Sequence, residues 1–309
     1  MEYAINSTEP NSRTEDLVTP FADLTVMKIS GFHGLETTKG SGIKVAIIDS
    51  GCNVNHADLA GKIVGVKNFT TDDAGAVGNV TDYNGQGTAM AGIIASSAAN
   101  YPGVAPGVQL YILKASGING GTGTMAQNAF IHAINLGVDV IVTGNSFASN
   151  LPDLEALCNS AVKQNSGVVC GAGVNGDGNA ATDEFLYPGG FNSVITVGFT
   201  NTDKTINSLS NSHNQIDLVA VGQNVSTLDK GGGYVTYSGS AYSAAYVGGA
   251  YALIKKFLQV KYGRTIEHNE VYAGLLKRTL DLNQNMKLQG AGMLYMMADI
   301  ELRQLVLGV

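Results

Sequence analysis

The chain has no tryptophan, only three cysteines and few charges: Asp, Glu, Lys and Arg make up 14% of its 309 residues, against roughly 25% in a typical soluble domain. Each shortage excludes something. Three cysteines cannot build a disulfide framework. Cys52, Cys158 and Cys170 lie in or beside apolar stretches, so buried, reduced thiols are expected rather than reactive ones. The formal net charge of −7 gives no electrostatic reason to expect nucleic acid or an anionic membrane as partner. No stretch approaches the ~18 apolar residues of a membrane span. The N-terminus carries Glu2, Glu9, Glu15 and Asp16 with no apolar run between them, which argues against a secretory signal. Together these absences predict a cytoplasmic protein with no membrane or nucleic-acid partner.

What is present is apolar or small. Hydrophobic residues make up 44% of the chain and glycine accounts for 40 positions, enough for a sizeable core in one α/β domain. Residues 1–23 are rich in Asn, Ser, Thr and Glu and read as an N-terminal arm. Residues 24–309 read as one domain, with no internal repeat or linker. Within it, short Val/Ile-rich runs alternate with longer segments of helical spacing. The runs are Lys44–Ile48, Gln109–Leu113, Val138–Val142, Gly167–Cys170 and Val194–Val197; near-continuous apolar runs suit strands buried on both faces. The helical segments fall at about 86–98, 124–136, 153–165 and 241–259. Ile216–Val221 and Val225–Tyr237 read as late strands, the second a hairpin around Lys230-Gly231-Gly232-Gly233. The alternation predicts a three-layer, doubly wound, mostly parallel sheet, with function at the carboxyl ends of its strands.

Three segments at those ends stand out: Ile48-Asp49-Ser50-Gly51, Asn84-Gly85-Gln86-Gly87-Thr88 and Ser238-Gly239-Ser240-Ala241-Tyr242-Ser243. Val45–Gly51 resembles the aspartate motif of the subtilases, the subtilisin-like serine proteases. Asn55-His56-Ala57-Asp58-Leu59 resembles their His-Pro-Asp-Leu, and Gln86–Gly92 resembles His-Gly-Thr-His-Val-Ala-Gly. Gly239–Ala245 stands where the family has Gly-Thr-Ser-Met-Ala-Ala-Pro. The likeness runs in order from about residue 24 to about 300. Gly65–Thr70, Asp82–Gly85, Val168–Cys170 and Gly290–Tyr295 make it strongest toward the intracellular subtilisins of Bacillus-like bacteria. It implies a subtilisin-like fold.

The same resemblance exposes what the chain lacks. A catalytic triad needs a nucleophile, a base to deprotonate it and a carboxylate to orient the base. The carboxylate position is retained as Asp49. The base position holds Gln86, and an amide takes no proton near neutral pH. The nucleophile position holds Ala241, which has no heteroatom. The oxyanion-hole asparagine of the family is matched by Val174, and losing one such donor costs ~3–4 kcal/mol of transition-state stabilisation. Asn175 is adjacent but displaced by one residue. The family's Ser-Leu-Gly-Gly wall is matched by Gly144-Asn145-Ser146-Phe147, where Phe147 could fill the substrate pocket, and the proline after the nucleophile is Ala245. No catalytic set is intact, so an inactive pseudoprotease is expected.

Other residues are weak substitutes. Ser240 and Ser243 flank the nucleophile position, but their side chains are expected to point elsewhere. His56 matches a non-catalytic family position, and His213 is expected to be a solvated loop residue. Asp49, left without a histidine, must still be satisfied if buried, so a Gln86–Asp49 hydrogen bond is predicted. Asp177, Asp183 and Glu184 share a Gly/Asn-rich loop, a weak calcium signal, because hard cations want six or more oxygens and the other family loop, Ser96–Pro102, has no carboxylate. No other cofactor is expected. The resemblance also implies an arm that blocks the cleft. Here Thr8-Glu9-Pro10-Asn11 or Val18-Thr19-Pro20-Phe21 stands near the blocking element, and the arm is free to clasp another subunit.

Three functions remain in view. The preferred one is structural: self-assembly into homo-oligomers, at least dimers, extending to filaments or tubes. It rests on the few charges and on 13 tyrosines, a residue favoured at interfaces. The second is regulatory, a pseudoenzyme that pairs with an active intracellular subtilisin or holds peptides uncut. The third is residual serine-type peptidase activity.

Overall fold

A computed structural model describes residues 3–5, 12–14, 22–99 and 101–307. The chain starts with two three-residue strands, β1 (Tyr3–Ile5) and β2 (Ser12–Thr14), and two short helices, α1 (Ala22–Val26) and α2 (Ile29–Leu35). Next come β3 (Lys44–Asp49), β4 (Ile63–Asn68) and α3 (Gln86–Ala95), then the ribbon β5 (Ser97–Ala98) and β6 (Tyr101–Pro102). β7 (Gln109–Lys114) precedes a second ribbon, β8 (Ser116–Gly117) and β9 (Gly120–Gly121). The middle holds α4 (Gly123–Asn135), β10 (Val140–Thr143), β11 (Asn145–Phe147), α5 (Pro152–Lys163) and β12 (Gly167–Gly171). β13 (Ile195–Thr200), β14 (Leu218–Val221) and the hairpin β15 (Val225–Leu228) and β16 (Tyr234–Tyr237) lead to α6 (Ser240–Tyr262). The last elements are α7 (His268–Leu276), β17 (Thr279–Leu280), α8 (Met286–Gln289), β18 (Met293–Leu294) and α9 (Ala298–Leu307).

The central sheet has the order β17-β18-β14-β13-β12-β10-β3-β7-β4. Every neighbouring pair is parallel except β17–β18. The alternation along β3 shows why its run is continuously apolar. Val45 and Ile47 enter the larger core with α3 and α6, while Ala46 and Ile48 enter a second core with α4 and α5. A period of two with both faces covered leaves no place for a polar side chain in the middle of the strand, and the buried Asp49 comes only at its end. Each fully buried aliphatic side chain contributes about 1.5–3 kcal/mol, so both layers are needed to hold the strand. The architecture is the expected three-layer, mostly parallel α/β fold of the subtilisin type. The three cysteines are free and buried, as expected.

α6 is buried over its first four turns because it runs through the larger core. Gly248 is needed there: a Cβ would sit 2.3 Å from Val142 of β10. This close approach sets Ala241, near the start of α6, beside the carboxyl end of β3. The four anticipated helices are all present, while α7 and α9 had no counterpart in the sequence reading.

The described parts of the arm pair with their own chain. β1 runs antiparallel to β11, and β2 runs antiparallel to β16. The expected boundary at residue 23 falls inside α1, where Asp23 is buried and accepts hydrogen bonds from the Leu24 amide and the Tyr101 and Tyr246 hydroxyls. Thr8-Glu9-Pro10-Asn11 and Val18-Thr19-Pro20-Phe21 lie outside the described residues. No helix among the described residues is long and apolar enough to cross a membrane.

Candidate functional site

Four elements deliver the anticipated site residues. Asp49 ends β3, Gln86 opens α3, Ala241 is the second residue of α6, and Val174 follows β12. Asp49, Gln86 and Ala241 meet around Gly144. A Cβ on Gly144 would stand 2.5 Å from Gln86 Nε2, 2.6 Å from Asp49 Oδ2 and 3.0 Å from the Ala241 Cβ. No side chain fits there, so the backbone of residue 144 forms the lid of this corner.

The predicted amide–carboxylate bond is present: Gln86 Nε2 donates to Asp49 Oδ2 at 2.8 Å. The same oxygen accepts from the Gly144 amide at 3.1 Å, and Asp49 Oδ1 accepts from the Ser50 amide at 2.7 Å. Asp49 and Gln86 are each 2% exposed and Ala241 is fully buried. Burial is the main reason the Asp49 carboxyl is pushed up to about 6; the bonds from Gln86 and Ser50 work against it, and the nearby Asp82 charge works with it.

Asp82 organises this corner and was missed in the sequence. Its Oδ1 accepts from Ser50 Oγ at 2.8 Å and from the Gly85 amide at 2.7 Å. Its Oδ2 accepts from the Thr88 amide at 2.8 Å and the Thr88 hydroxyl at 2.6 Å. The Gly87 amide donates to Ser50 Oγ at 3.0 Å, and the Gln86 amide donates to Asn84 Oδ1 at 3.1 Å. The first amides of α3, which have no partner within the helix, are thereby satisfied, and a carboxylate sits at the positive end of the helix. The available signal was the Asp82-Tyr83-Asn84-Gly85 turn just ahead of Gln86.

The flanking groups are engaged in the surrounding structure. Ser240 Oγ accepts from the Gly173 amide at 2.9 Å, and Ser243 Oγ donates to the Ala220 and Val221 carbonyls at 3.1 Å each. Both hydroxyls thus turn into the structure. His56 Nε2 lies 3.0 Å from the Gly233 carbonyl, and its Nδ1 accepts from the Asp58 amide at 3.3 Å, a local structural role. His213 corrects the sequence reading. It is not solvated but fully buried, with its ring stacked on Phe185 at 4.5 Å and its Nδ1 accepting from the Gln215 amide at 3.1 Å. Burial pulls it down to about 4, so the ring is neutral at physiological pH. The polar sequence of its loop hid the aromatic partner, which lies 28 residues upstream.

Val174 is half-buried and offers no side-chain donor. The exposed Asn175 is held by its own amide, which donates to Asn211 Oδ1 at 2.7 Å. On the opposite wall, β11 carries Asn145, Ser146 and Phe147, all buried. Phe147 belongs to the core cluster of Leu154, Cys170 and Phe191. Its backbone exchanges hydrogen bonds with Tyr187 at 2.7 and 2.8 Å. On its other side β11 is covered by β1 in the register Tyr3↔Phe147, Ala4↔Ser146 and Ile5↔Asn145. An extended segment therefore already lies along this wall.

The loop with the weak calcium signal is not assembled as a cage. Asp177 accepts from the Asn179 amide and the Thr182 hydroxyl, Asp183 pairs with Lys287 at 2.8 Å, and Glu184 accepts from the Ser212 amide at 2.7 Å. Among the described residues no three His, Cys, Asp or Glu side chains converge as metal ligands would. The three thiols are buried, and burial pushes Cys170 up to about 12 and raises Cys52 and Cys158 as well.

Comparison with known proteins agrees with this geometry. Residues 40–293 match the profile of the Subtilase family, peptidase S8. The "Intracellular serine protease" of Paenibacillus polymyxa is 40% identical over 271 residues, covering 87% of this chain and 83% of that protein. The "Major intracellular serine protease" of Bacillus subtilis (strain 168) is 39% identical over 270 residues, covering 86% and 85%. The "Thermophilic serine proteinase" of Bacillus sp. (strain AK1) is 32% identical over 228 residues, covering 72% and 54%. With a family profile spanning most of its length and its aspartate corner built at the carboxyl end of β3, this chain belongs to the subtilase family.

Proposed function

We propose that this chain is a non-catalytic subtilase, a pseudoprotease, that works through its surface by associating with copies of itself. The observation that carries the reading is the corner of Asp49, Gln86 and Ala241, where an amide occupies the base position and a methyl group the nucleophile position. Neither can move a proton or attack a carbonyl. The proteins it is similar to are named as serine proteases, so the reading rests on this chain's own residues. Support for self-association comes from the low charge density and from α9, where Leu302, Leu305 and Val306 form an exposed apolar stripe at helical spacing. Filaments or tubes require a second, non-closing contact in addition to a two-fold one. The names of the two more similar relatives place them inside the cell, and a cytoplasmic setting is proposed here too.

A second reading has its own observation. β11 accepts β1 as an antiparallel strand, so the old cleft wall keeps an edge that binds extended backbone. That favours a regulatory role, in which the chain holds peptides uncut or pairs with an active subtilisin.

Two measurements test the proposal. The purified chain is assayed on peptide substrates beside the variant Gln86→His/Ala241→Ser/Val174→Asn. No turnover by the natural chain is expected, and turnover abolished by a serine-directed inhibitor would overturn the non-catalytic reading. Light scattering after size exclusion, with negative-stain microscopy, is expected to show dimers or larger particles. A monomer at all concentrations would overturn self-association, and a stable complex with an active subtilisin would favour the regulatory role.

A further inference from the structure

On another face of the molecule, the second half of α6, α7 and α9 enclose an open groove of about 550 Å³. Its floor is apolar, built from the half-buried side chains of Phe257, Leu258 and Ile300. Its rim carries Lys261 at the end of α6, Lys277 just beyond α7 and Arg303 on α9, all exposed. None of the three has an ion-pair partner among the described residues.

The acids nearby are already engaged. Glu270 is held by Arg264 at 2.5 Å, and Asp299 faces Arg278 at 3.4 Å. Arg278 is buried beneath the groove, with its guanidinium over the rings of Phe32 at 5.2 Å and Phe257 at 6.0 Å and a bond to the Gly274 carbonyl at 2.8 Å. Burial lowers its pKa, the Asp299 charge works against that, and Arg303 adds a smaller repulsion. The groove thus gathers unpaired positive charge on a chain whose net charge is −7. An anionic occupant would relieve that repulsion.

The floor selects among anions. A nucleic acid would gain little from three cations and would leave the apolar floor unfilled. An apolar floor beneath a cationic rim instead suits an acidic segment of protein with apolar side chains between its carboxylates. We propose that the groove of α6, α7 and α9 docks an acidic peptide segment of a partner protein, with carboxylates on Lys261, Lys277 and Arg303 and an apolar side chain on Phe257, Leu258 and Ile300. The site is separate from the cleft and does not depend on whether the cleft is catalytic.

The test uses the full chain and a short, fluorescently labelled peptide of alternating Glu and Leu, read by polarisation. Binding is expected to weaken by about tenfold or more in Lys277→Glu/Arg303→Glu and to fall as salt is raised. A matching peptide of Lys and Leu is expected to bind the reversed variant better than the natural chain. Both substitutions are at exposed positions, and an unchanged thermal melt verifies that the variant is folded. The proposal is overturned if the acidic peptide does not bind, if the reversed variant binds it equally, or if a short single-stranded DNA binds more tightly than the peptide.

Discussion

Two polar regions of this molecule have opposite designs. In the corner of Asp49 the two carboxylates are buried and matched: an amide and two backbone N–H groups on Asp49, and five donors on Asp82. On the rim of the groove of α6, α7 and α9, Lys261, Lys277 and Arg303 are exposed and have no ion-pair partner among the described residues. The first region spends its polar groups on holding the fold together, whereas the second leaves them available. A catalytic corner normally has the second character, since a base and nucleophile must keep an unspent lone pair for substrate.

The sharpest way to break this contrast is Gln86→Leu. It strips a buried carboxylate of a side-chain donor and should destabilise the fold by about 3 kcal/mol, read as a shift in the urea midpoint. A loss below ~0.5 kcal/mol would mean that the corner is not a structural unit. The next effect is on pH. Folding raises the Asp49 pKa from 3.8 to about 6, so the folded state binds the proton more tightly than the unfolded one. The associated stability is fully present below pH 4 and is lost as pH rises through 6, by roughly 2–3 kcal/mol. Asp217 is raised to about 6 as well, chiefly by burial, and contributes in the same direction. Asp49→Asn should therefore flatten, without abolishing, the decline in stability between pH 4 and 7, as measured by denaturant titration at each pH.

Smaller effects should follow on the exposed side. Leu305→Glu places a charge on a side chain that is 84% exposed. It should weaken self-association by about tenfold while leaving the melting temperature unchanged, measured by light scattering and calorimetry. Lys277→Glu/Arg303→Glu should alter stability by no more than ~0.5 kcal/mol in either direction. A larger change would show that these cations belong to the fold after all.

How far the sequence could be read follows from the range of each signal. The helices at residues 86, 123, 152 and 240 and the strands buried on both faces were legible because their periodicity is local. The Gln86–Asp49 bond was legible because ordered motifs fixed which two residues must meet and burial demanded a donor. Asp82 went unread because the turn ahead of Gln86 shows a cap but not which backbone amides and which hydroxyls, Ser50 and Thr88, it gathers. His213 was misread because its loop is polar while the ring that covers it, Phe185, comes from another segment. The groove was invisible because Phe257, Lys277 and Arg303 come from α6, the end of α7 and α9, with no shared motif, and α7 and α9 were not anticipated.

The pairing of β1 with β11 has a consequence for anything that would use the old cleft. A strand tethered to its own binding edge competes as an intramolecular ligand, at an effective concentration on the order of millimolar. A free peptide at micromolar levels therefore loses to it unless its intrinsic affinity is about a thousandfold greater than the strand's. On the regulatory reading proposed above, the cleft wall then answers only to a strand of high affinity or to one delivered at high local concentration by a bound partner.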